Sequence, residues 1–440
     1  MRFSRIPVWL SYSAIIHTEW GRQGETSLNV PTISIDAAAG VWYHRGSGWA
    51  SLGTEQEAYA TDDVLAETLK TVGPDLLEIS HRVHGLRELR FEETLSSRAL
   101  QELLTRYGFS VESGLAGMDT SFIARRGHGE SIVGFFAEYD ALPEIGHACG
   151  HNIIAASSTG AGILLAKWLE AKKLDGEVWV VGSPGEEGGG GKIRLLDSGV
   201  LDSLSVAMMF HPSAEDEVAP QYLFREGIDV KFYGKEAHFA AAPEQGVNAL
   251  SALLLWFHFI DALRYHLDPR TKVHGIITDG GASPSVVPAF ASARMLVRAP
   301  DAALARTTLE KVIRGAESAA AGTGCQMEWE RFVPPYEDVI HEPQLVSYIE
   351  KALAERGRTP IRDRPPLGST DMGNVSHRIP SIHANIGIGL GLAPHTRSFE
   401  HAARSPEADR AVLDAAYALA RAASLYLGAP TTQRGYGFDG

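Results

Sequence analysis

Cysteine is nearly absent from this chain: Cys149 and Cys325 are the only two in 440 residues, which excludes a disulfide scaffold. Positive charge is short as well. Forty Lys and Arg stand against 54 Asp and Glu, a net charge of −14, and so acidic a chain is a poor match to phosphate backbones or anionic lipid. No nucleic-acid or membrane partner is therefore expected. No apolar run has the length and purity of a membrane-spanning helix, and no repeat or low-complexity array is visible. What remains is of globular type, with 44% hydrophobic and 21% charged residues. That is enough for a buried core and, at this length, for two or three domains. Histidine is the exception, with 17 residues, so the positions of the histidines and the two cysteines become the question.

The first sixty residues carry Trp9, Trp20, Trp42 and Trp49, half of the chain's eight tryptophans, and show no helical periodicity. Met1 to Arg5 is basic and Ile6 to Ile16 mildly apolar. Ser11, Tyr12 and Ser13 interrupt that run and no cleavage site follows closely, which argues against a signal peptide. Residues 1–60 read as an N-terminal extension of unknown role: a poorly ordered tail, a start-site artefact or a small cap.

From Asp62 onward the pattern is α/β. Leu65, Leu69, Val72, Leu76 and Ile79 mark an amphipathic helix over 62–83, and a second helix spans 94–107. Short apolar strands follow at 132–136, 178–181 and 205–210. A long helix to about Lys173 lies between the first two, with Asn152 as its expected cap. Strands alternating with helices predict a mixed, mostly parallel sheet flanked by helices. After about Ala219 the order becomes βαββαβ, with strands at 228–233, 272–277, 291–297 and 326–332 and helices at 247–266 and 301–321. That is the ferredoxin-like α+β arrangement. The first pattern resumes near Pro335, with a strand at 382–388 and a helix at 406–427.

The chemically able residues cluster at strand ends, where open α/β sheets place their sites. The strand at 132–136 runs into Glu138-Tyr139-Asp140, and the next loop holds His147-Ala148-Cys149-Gly150-His151-Asn152. Glu186-Glu187 and His211-Pro212 end the next two strands, and the last leads to Pro394-His395-Thr396. Thiolate, imidazole and carboxylate together suit zinc, with manganese, cobalt or nickel also admitted. Alone, Cys149 would read as a small buried hydrophobe, the reading that stands for Cys325. Adjacent side chains in an extended segment point opposite ways, so of Glu186 and Glu187 one can bind metal while the other acts as general base. The glycines after them do not make a phosphate loop, because Glu186 stands where its first glycine belongs and Ile193 replaces the required Ser or Thr. They suit close backbone packing instead. His238 by itself reads as an ordinary loop histidine.

His147-Ala-Cys149-Gly-His151-Asn152 followed by Gly185-Glu186-Glu187-Gly188 resembles the M20 metallopeptidase and amidohydrolase family, in its Cys-containing branch. Ala137-Glu-Tyr-Asp140-Ala-Leu-Pro143 and Ser369-Thr-Asp371-Met-Gly373-Asn374 are most similar in wording to aminobenzoyl-glutamate hydrolase subunits and related dipeptidases. The resemblance covers roughly residues 62–428. It implies a zinc-peptidase-like catalytic domain over 61–219 and 335–440, with an inserted lid and dimerisation domain over 220–334. It further implies two divalent metal ions per subunit, zinc or manganese foremost, bridged by Cys149. His151 and His211 would complete one site, and Glu187 and His395 the other. Glu186 would be general base and acid, Asp140 would orient the site, and His238 would reach the active site of a partner subunit in a homodimer.

The activity implied is hydrolysis of the amide bond of N-acyl or N-aminoacyl amino acids by a water activated between the two metals. The substrate would be a small molecule such as a dipeptide or an aminobenzoyl-glutamate conjugate, and the location cytoplasmic. Two stretches depart from the family. Ser285-Val286-Val287-Pro288 stands where relatives offer an Asn to the substrate, so a contact from Ser285 is open; Asp371 is the other substrate candidate. His81-Arg-Val-His84-Gly-Leu-Arg-Glu88 replaces a His-x-His-Pro-Glu pattern. These departures keep an amidase or carbamoylase for a xenobiotic or secondary-metabolite amide as the alternative. A non-catalytic metal-binding subunit is a further one, disfavoured because every ligand and Glu186 are present. Arg294 and Arg298 are candidates for gripping a substrate carboxylate by location alone.

Overall fold

A computed structural model describes residues 33–36, 40–45, 48–52 and 61–429, apart from 363 and 367. The chain forms two compact units, Met1–Ala58 and Tyr59–Gly440. In the first, β1 (Ile33–Asp36), β2 (Gly40–Arg45) and β3 (Gly48–Leu52) make a three-stranded antiparallel sheet. The rest of the expected extension lies outside the described residues.

The second unit opens with α1 (Asp63–Leu86), capped by Asp62, whose carboxylate accepts the N–H groups of Val64 and Leu65. After α2 (Thr94–Arg106) come β4 (Ser110–Ser113), β5 (Phe122–His128), β6 (Ile132–Ala137), α3 (His151–Lys172) and β7 (Gly176–Gly182). Then α4 (Gly191–Asp197) and β8 (Val206–Ser213) lead into the insert. Beyond it lie α7 (Pro343–Glu355), α8 (Met372–Ser376), β13 (Ser381–Gly387), α9 (Arg397–Ala402) and α10 (Pro406–Gly428).

Six of these strands form one sheet in the order β13-β8-β6-β7-β5-β4. The first four run parallel, and β5 and β4 add antiparallel at one edge. The mostly parallel α/β sheet expected from the alternating pattern is thus present, with β4 and β5 as an unforeseen antiparallel margin. Helix α3 is buried nearly all round, between the sheet and the helices α1 and α10. Its cap is Gly150 rather than Asn152. Asn152 lies within the first turn and its amide donates to Ser80 Oγ and to the Ala403 carbonyl, so its side chain holds α3 to its neighbours and leaves the helix's own N–H groups alone.

The insert comprises β9 (Phe224–Tyr233), α5 (Ala249–Arg264), β10 (Lys272–Asp279), β11 (Phe290–Ala299), α6 (Ala302–Thr323) and β12 (Gln326–Tyr336). Its antiparallel sheet has the order β10-β11-β9-β12, the ferredoxin-like topology read from the βαββαβ sequence. Alternation is clean. Phe224, Ile228, Val230 and Phe232 of β9 and Ala291, Ala293, Met295 and Val297 of β11 pack with α5 and α6 in a separate core. The intervening residues, among them Arg225, Asp229, Arg294 and Arg298, lie on the other face. No described helix is long and apolar enough to cross a membrane.

Candidate metal centre and active site

The C-terminal ends of β7, β8 and β13, the N-terminus of α3 and the loop before α9 converge on one cavity of about 360 Å³, lined by Cys149, Glu186, Glu187, His211 and His395 among others. The backbone is shaped for this approach. Gly150 adopts φ +74°, and a Cβ there would stand 2.5 Å from Pro212 Cγ. A Cβ on Gly191 would meet the Pro184 carbonyl oxygen at 1.8 Å, so the glycines after Glu187 do permit close chain packing. His395 has φ +63°, a conformation costly for a residue with a side chain. Its N–H donates to the Ala148 carbonyl at 2.9 Å, tying this loop to the Cys149 segment.

Two groups of donor atoms form, each with all atoms within 4.8 Å of one another: Cys149 with His151 and His211, and Cys149 with Glu187 and His395. Cys149 belongs to both. Its Sγ lies 3.4 Å from His211 Nε2, and His395 Nε2 lies 3.4 Å from Glu187 Oε1. The imidazoles are set by their other nitrogens. His211 Nδ1 donates to the Pro212 carbonyl at 2.8 Å, and His151 Nδ1 donates to Asp140 Oδ1 at 2.9 Å, which leaves each Nε2 as the donor atom toward a metal. Asp140 Oδ2 accepts the Glu187 N–H at 3.0 Å, so this one carboxylate orients residues of both groups.

The donor set fits divalent metal. His151 Nε2 and Glu187 Oε1 are buried and have no hydrogen-bond partner, an arrangement that is costly unless something completes it. Thiol, imidazole and carboxylate are the ligand types of zinc and similar ions. Burial pushes the Cys149 thiol up, reinforced by Glu187, so its thiolate needs a cation beside it.

Glu186 lines the same cavity and is in neither of the groups that share Cys149; it falls in a third group with Glu138 and His151, all three buried. It is 8% exposed, and burial together with Glu138, Glu187 and Asp371 pushes its carboxyl well above the usual range. Burial would likewise raise Glu187, but the His395 ring 3.4 Å away and the His151 charge bring it below that range. The two adjacent carboxyls are therefore set apart, one toward holding a proton and one toward staying ionised. Tyr336 fixes the loop by donating its hydroxyl to the Glu186 carbonyl at 2.7 Å.

The remaining expected residues fall elsewhere. Asp371 has no exposed surface; it bonds Lys192 through both oxygens, to the Lys192 N–H at 3.0 Å and to Nζ at 2.6 Å. It therefore supports the site from beneath and does not present a surface to a substrate. His238 and Ser285 are exposed and neither lines the cavity. They are neighbours, through the Phe239 N–H to the Ser285 carbonyl at 3.0 Å, and His238 Nδ1 accepts the Ala241 N–H. Arg294 is engaged by Asp229 at 2.8 Å on an exposed surface, whereas Arg298 does line the cavity.

Lys192, Arg225, Tyr222 and Tyr336 were not singled out from the sequence, and Glu138 was placed at its strand end without a role. Glu138 had a visible signal, since it shares the parity of Asp140 at the end of β6. Lys192 and Arg225 had none, because their surroundings come from distant segments.

A family model described as Peptidase family M20/M25/M40 matches residues 134–424. The chain is 36% identical over 365 residues to a protein named Xaa-Arg dipeptidase from Mus musculus, covering 80% of this chain and 82% of that one. It is 33% identical over 302 residues to one of the p-aminobenzoyl-glutamate hydrolase subunits of Escherichia coli (strain K12), covering 64% of this chain and 62% of that one. Among solved structures, an aminobenzoyl-glutamate utilization protein from Klebsiella pneumoniae has a TM-score of 0.64 at 18% identity, covering 82% of this chain and 98% of that one. A dinuclear metal binding peptidase of the M20 family from Bacillus subtilis has a TM-score of 0.62 at 22% identity, covering 81% and 99%. At these identities the two structures speak for the fold.

Proposed function

Since the chain belongs to peptidase family M20/M25/M40 and is a hydrolase of peptide or amide bonds, we propose that it cleaves N-acyl or N-aminoacyl amino acids, dipeptides and aminobenzoyl-glutamate-type conjugates among them, with Glu186 as general base and acid. The observation that carries this reading is the convergence, in one cavity, of two donor groups sharing Cys149 with a separate carboxyl whose proton affinity is raised.

Cys149, His151 and His211 would hold one divalent ion, and Cys149, Glu187 and His395 a second, zinc or manganese by donor type. When bound, such ions lower the pKa of water and polarise a carbonyl. Glu186 takes the proton of the attacking water and returns it to the leaving amine, a role its environment suits because a catalytic carboxyl works best with a pKa near the operating pH. Asp140 keeps the His151 ring and the Glu187 backbone in register while this happens.

The reading includes a homodimer formed through the insert. Leu254, Leu255 and Phe259 of α5 and Ile276 and Ile277 of β10 are exposed there, apolar surface that a partner would cover. His238, exposed and outside its own cavity, suits service in the partner's site. Two unpaired cysteines suit a reducing compartment, and the location proposed is the cytoplasm.

Metal analysis of the purified protein, followed by hydrolysis assays of zinc- and manganese-loaded samples across acyl-amino acids and dipeptides, tests the proposal. Two ions per chain and cleavage of such amides are expected. Absence of turnover across the panel in fully loaded protein would refute it.

A further inference from the structure

The loop that carries Glu186 and Glu187 is tied down on both sides of Glu186. Tyr336, at the end of the insert, donates its hydroxyl to the Glu186 carbonyl, and Asp140 accepts the Glu187 N–H. The other ties come from the connection between α1 and α2. Glu93 Oε1 accepts the Gly185 N–H at 2.9 Å, and its Oε2 accepts the Thr120 hydroxyl at 2.8 Å. Arg90 Nη1 donates to the Glu187 carbonyl at 2.9 Å. The Phe91 ring fills the hollow left by two glycines: a Cβ on Gly185 would stand 2.7 Å from it, and one on Gly189 2.5 Å. None of Arg90, Phe91 and Glu93 lines the cavity.

Glu93 does not serve its own helix. It occupies the N-cap position of α2 but makes no side-chain cap bond. Glu88 accepts the Leu95 and Ser96 N–H groups of the first turn instead, at 2.9 and 2.7 Å. Glu93 has no exposed surface, and burial together with Asp140 raises its carboxyl to about 7. A buried acid is costly, and this one, turned away from its own helix, is accounted for by the backbone it holds.

We infer that Glu93 is a positioning residue for proton transfer: by holding the Gly185 N–H it sets where the Glu186 carboxyl stands in the cavity, with Phe91 and Arg90 completing the brace. This rests on the amide-hydrolase reading above and adds to it a residue outside the cavity. Glu93 touches neither substrate nor metal and exchanges no proton in the reaction. Its effect passes along the chain from Gly185, one residue before Glu186. Gly185 has φ +70° and no side chain, so without its anchor it is the point about which the loop swings. A displacement of about 1 Å in a reacting group costs about 10²-fold in rate.

The test compares metal-loaded wild type, Glu93→Ala and Glu93→Gln on one acyl-amino acid that the wild type cleaves, each also in the Glu186→Gln background. Glu93→Ala lowers kcat by about 10–100-fold, with KM and metal content little changed. Glu93→Gln recovers most of that loss, because its amide oxygen still accepts the Gly185 N–H. In the Glu186→Gln background Glu93→Ala lowers kcat by less than about twofold, since residues that act through one group do not lose activity additively. Equal losses in the two backgrounds, or an unchanged kcat in Glu93→Ala, overturn the inference. Melting temperatures establish whether Glu93→Ala is folded. If it is not, Glu93→Asp replaces it, being one methylene too short to keep both bonds yet a good N-cap for α2. If the loaded wild type cleaves nothing, the hydrolase reading fails and amide hydrogen exchange over residues 183–190 decides the brace. Exchange faster by about tenfold or more in Glu93→Ala, and close to wild type in Glu93→Gln, supports it; unchanged exchange in Glu93→Ala overturns it.

Discussion

Lys192 Nζ lies 2.6 Å from Asp371 Oδ1 and 2.5 Å from Glu138 Oε1, and none of the three side chains has any exposed surface. Burial opposes the ammonium charge, but Asp371 and Glu138 raise its proton affinity above that of a free lysine. The same Glu138 carries Oε2 at 3.4 Å from His151 Nε2, and both acids help hold Glu186 toward its protonated form. A buried cation thus sits between two buried acids beneath the candidate base, and their field reaches the residue proposed to move the proton.

Replacing Lys192 with Met leaves Glu138 and Asp371 buried without their cation. Breaking a buried ion pair from one side costs about 3–5 kcal/mol, and denaturant unfolding should show a loss of that size. A loss well under 1 kcal/mol would show that the two acids find other partners or take up protons at little cost.

Glu186→Gln keeps the shape of the loop and the metal ligands while removing the titrating oxygen. Turnover should fall by about 10²–10⁴-fold, the range for a general acid–base group, with metal content unchanged. A metal-loaded variant with wild-type turnover would remove Glu186 from the proton-transfer role.

Cys149 is common to both donor groups, so Cys149→Ala should reduce metal stoichiometry at both positions, measured by elemental analysis after dialysis. Mild oxidation of the wild type should do the same, because a sulfinic acid no longer offers the thiolate. Retention of two ions in the alanine variant would contradict the shared role.

His383 of β13 is fully buried, with both ring nitrogens unbonded, and burial holds its pKa well below that of a free histidine. The unfolded chain takes up a proton near pH 6.5 and the folded protein does not, so this group's contribution to stability is present above about pH 6.5 and declines as pH falls. The expected slope is about 1.4 kcal/mol per pH unit below that point. In His383→Phe, denaturant unfolding at pH 5 and pH 7 should show a pH dependence shallower by that amount. An identical pH dependence would mean that His383 is protonated in the folded state.

Much of this protein was readable along the chain. The strands at 132–136 and 178–181 and the βαββαβ insert announced themselves by their apolar pattern, because apolar spacing reports directly which face an element buries. The edge strands β4 and β5 did not: β5 reads Phe-Ile-Ala-Arg-Arg-Gly-His, and its pairing is decided by the neighbouring β7. The helices α4, α7, α8 and α9 also went unread; α4, α8 and α9 are seven residues or fewer, and so short a stretch carries too little periodicity to show.

The chemistry divides the same way. Cys149, His151, Glu186, Glu187, His211 and His395 stand at strand ends or in the loops that follow, so sequence alone determined which donors are available and that one sheet edge would collect them. Tertiary structure alone decided what surrounds them. Lys192 meets Asp371 across 179 residues, Arg225 faces Arg298 through strand register, and Asp371 lies beneath the cavity while His238 and Ser285 lie outside it. Spacing along the chain encodes local geometry. Which distant charge becomes a neighbour, and how far water is excluded from it, is set only when the elements pack.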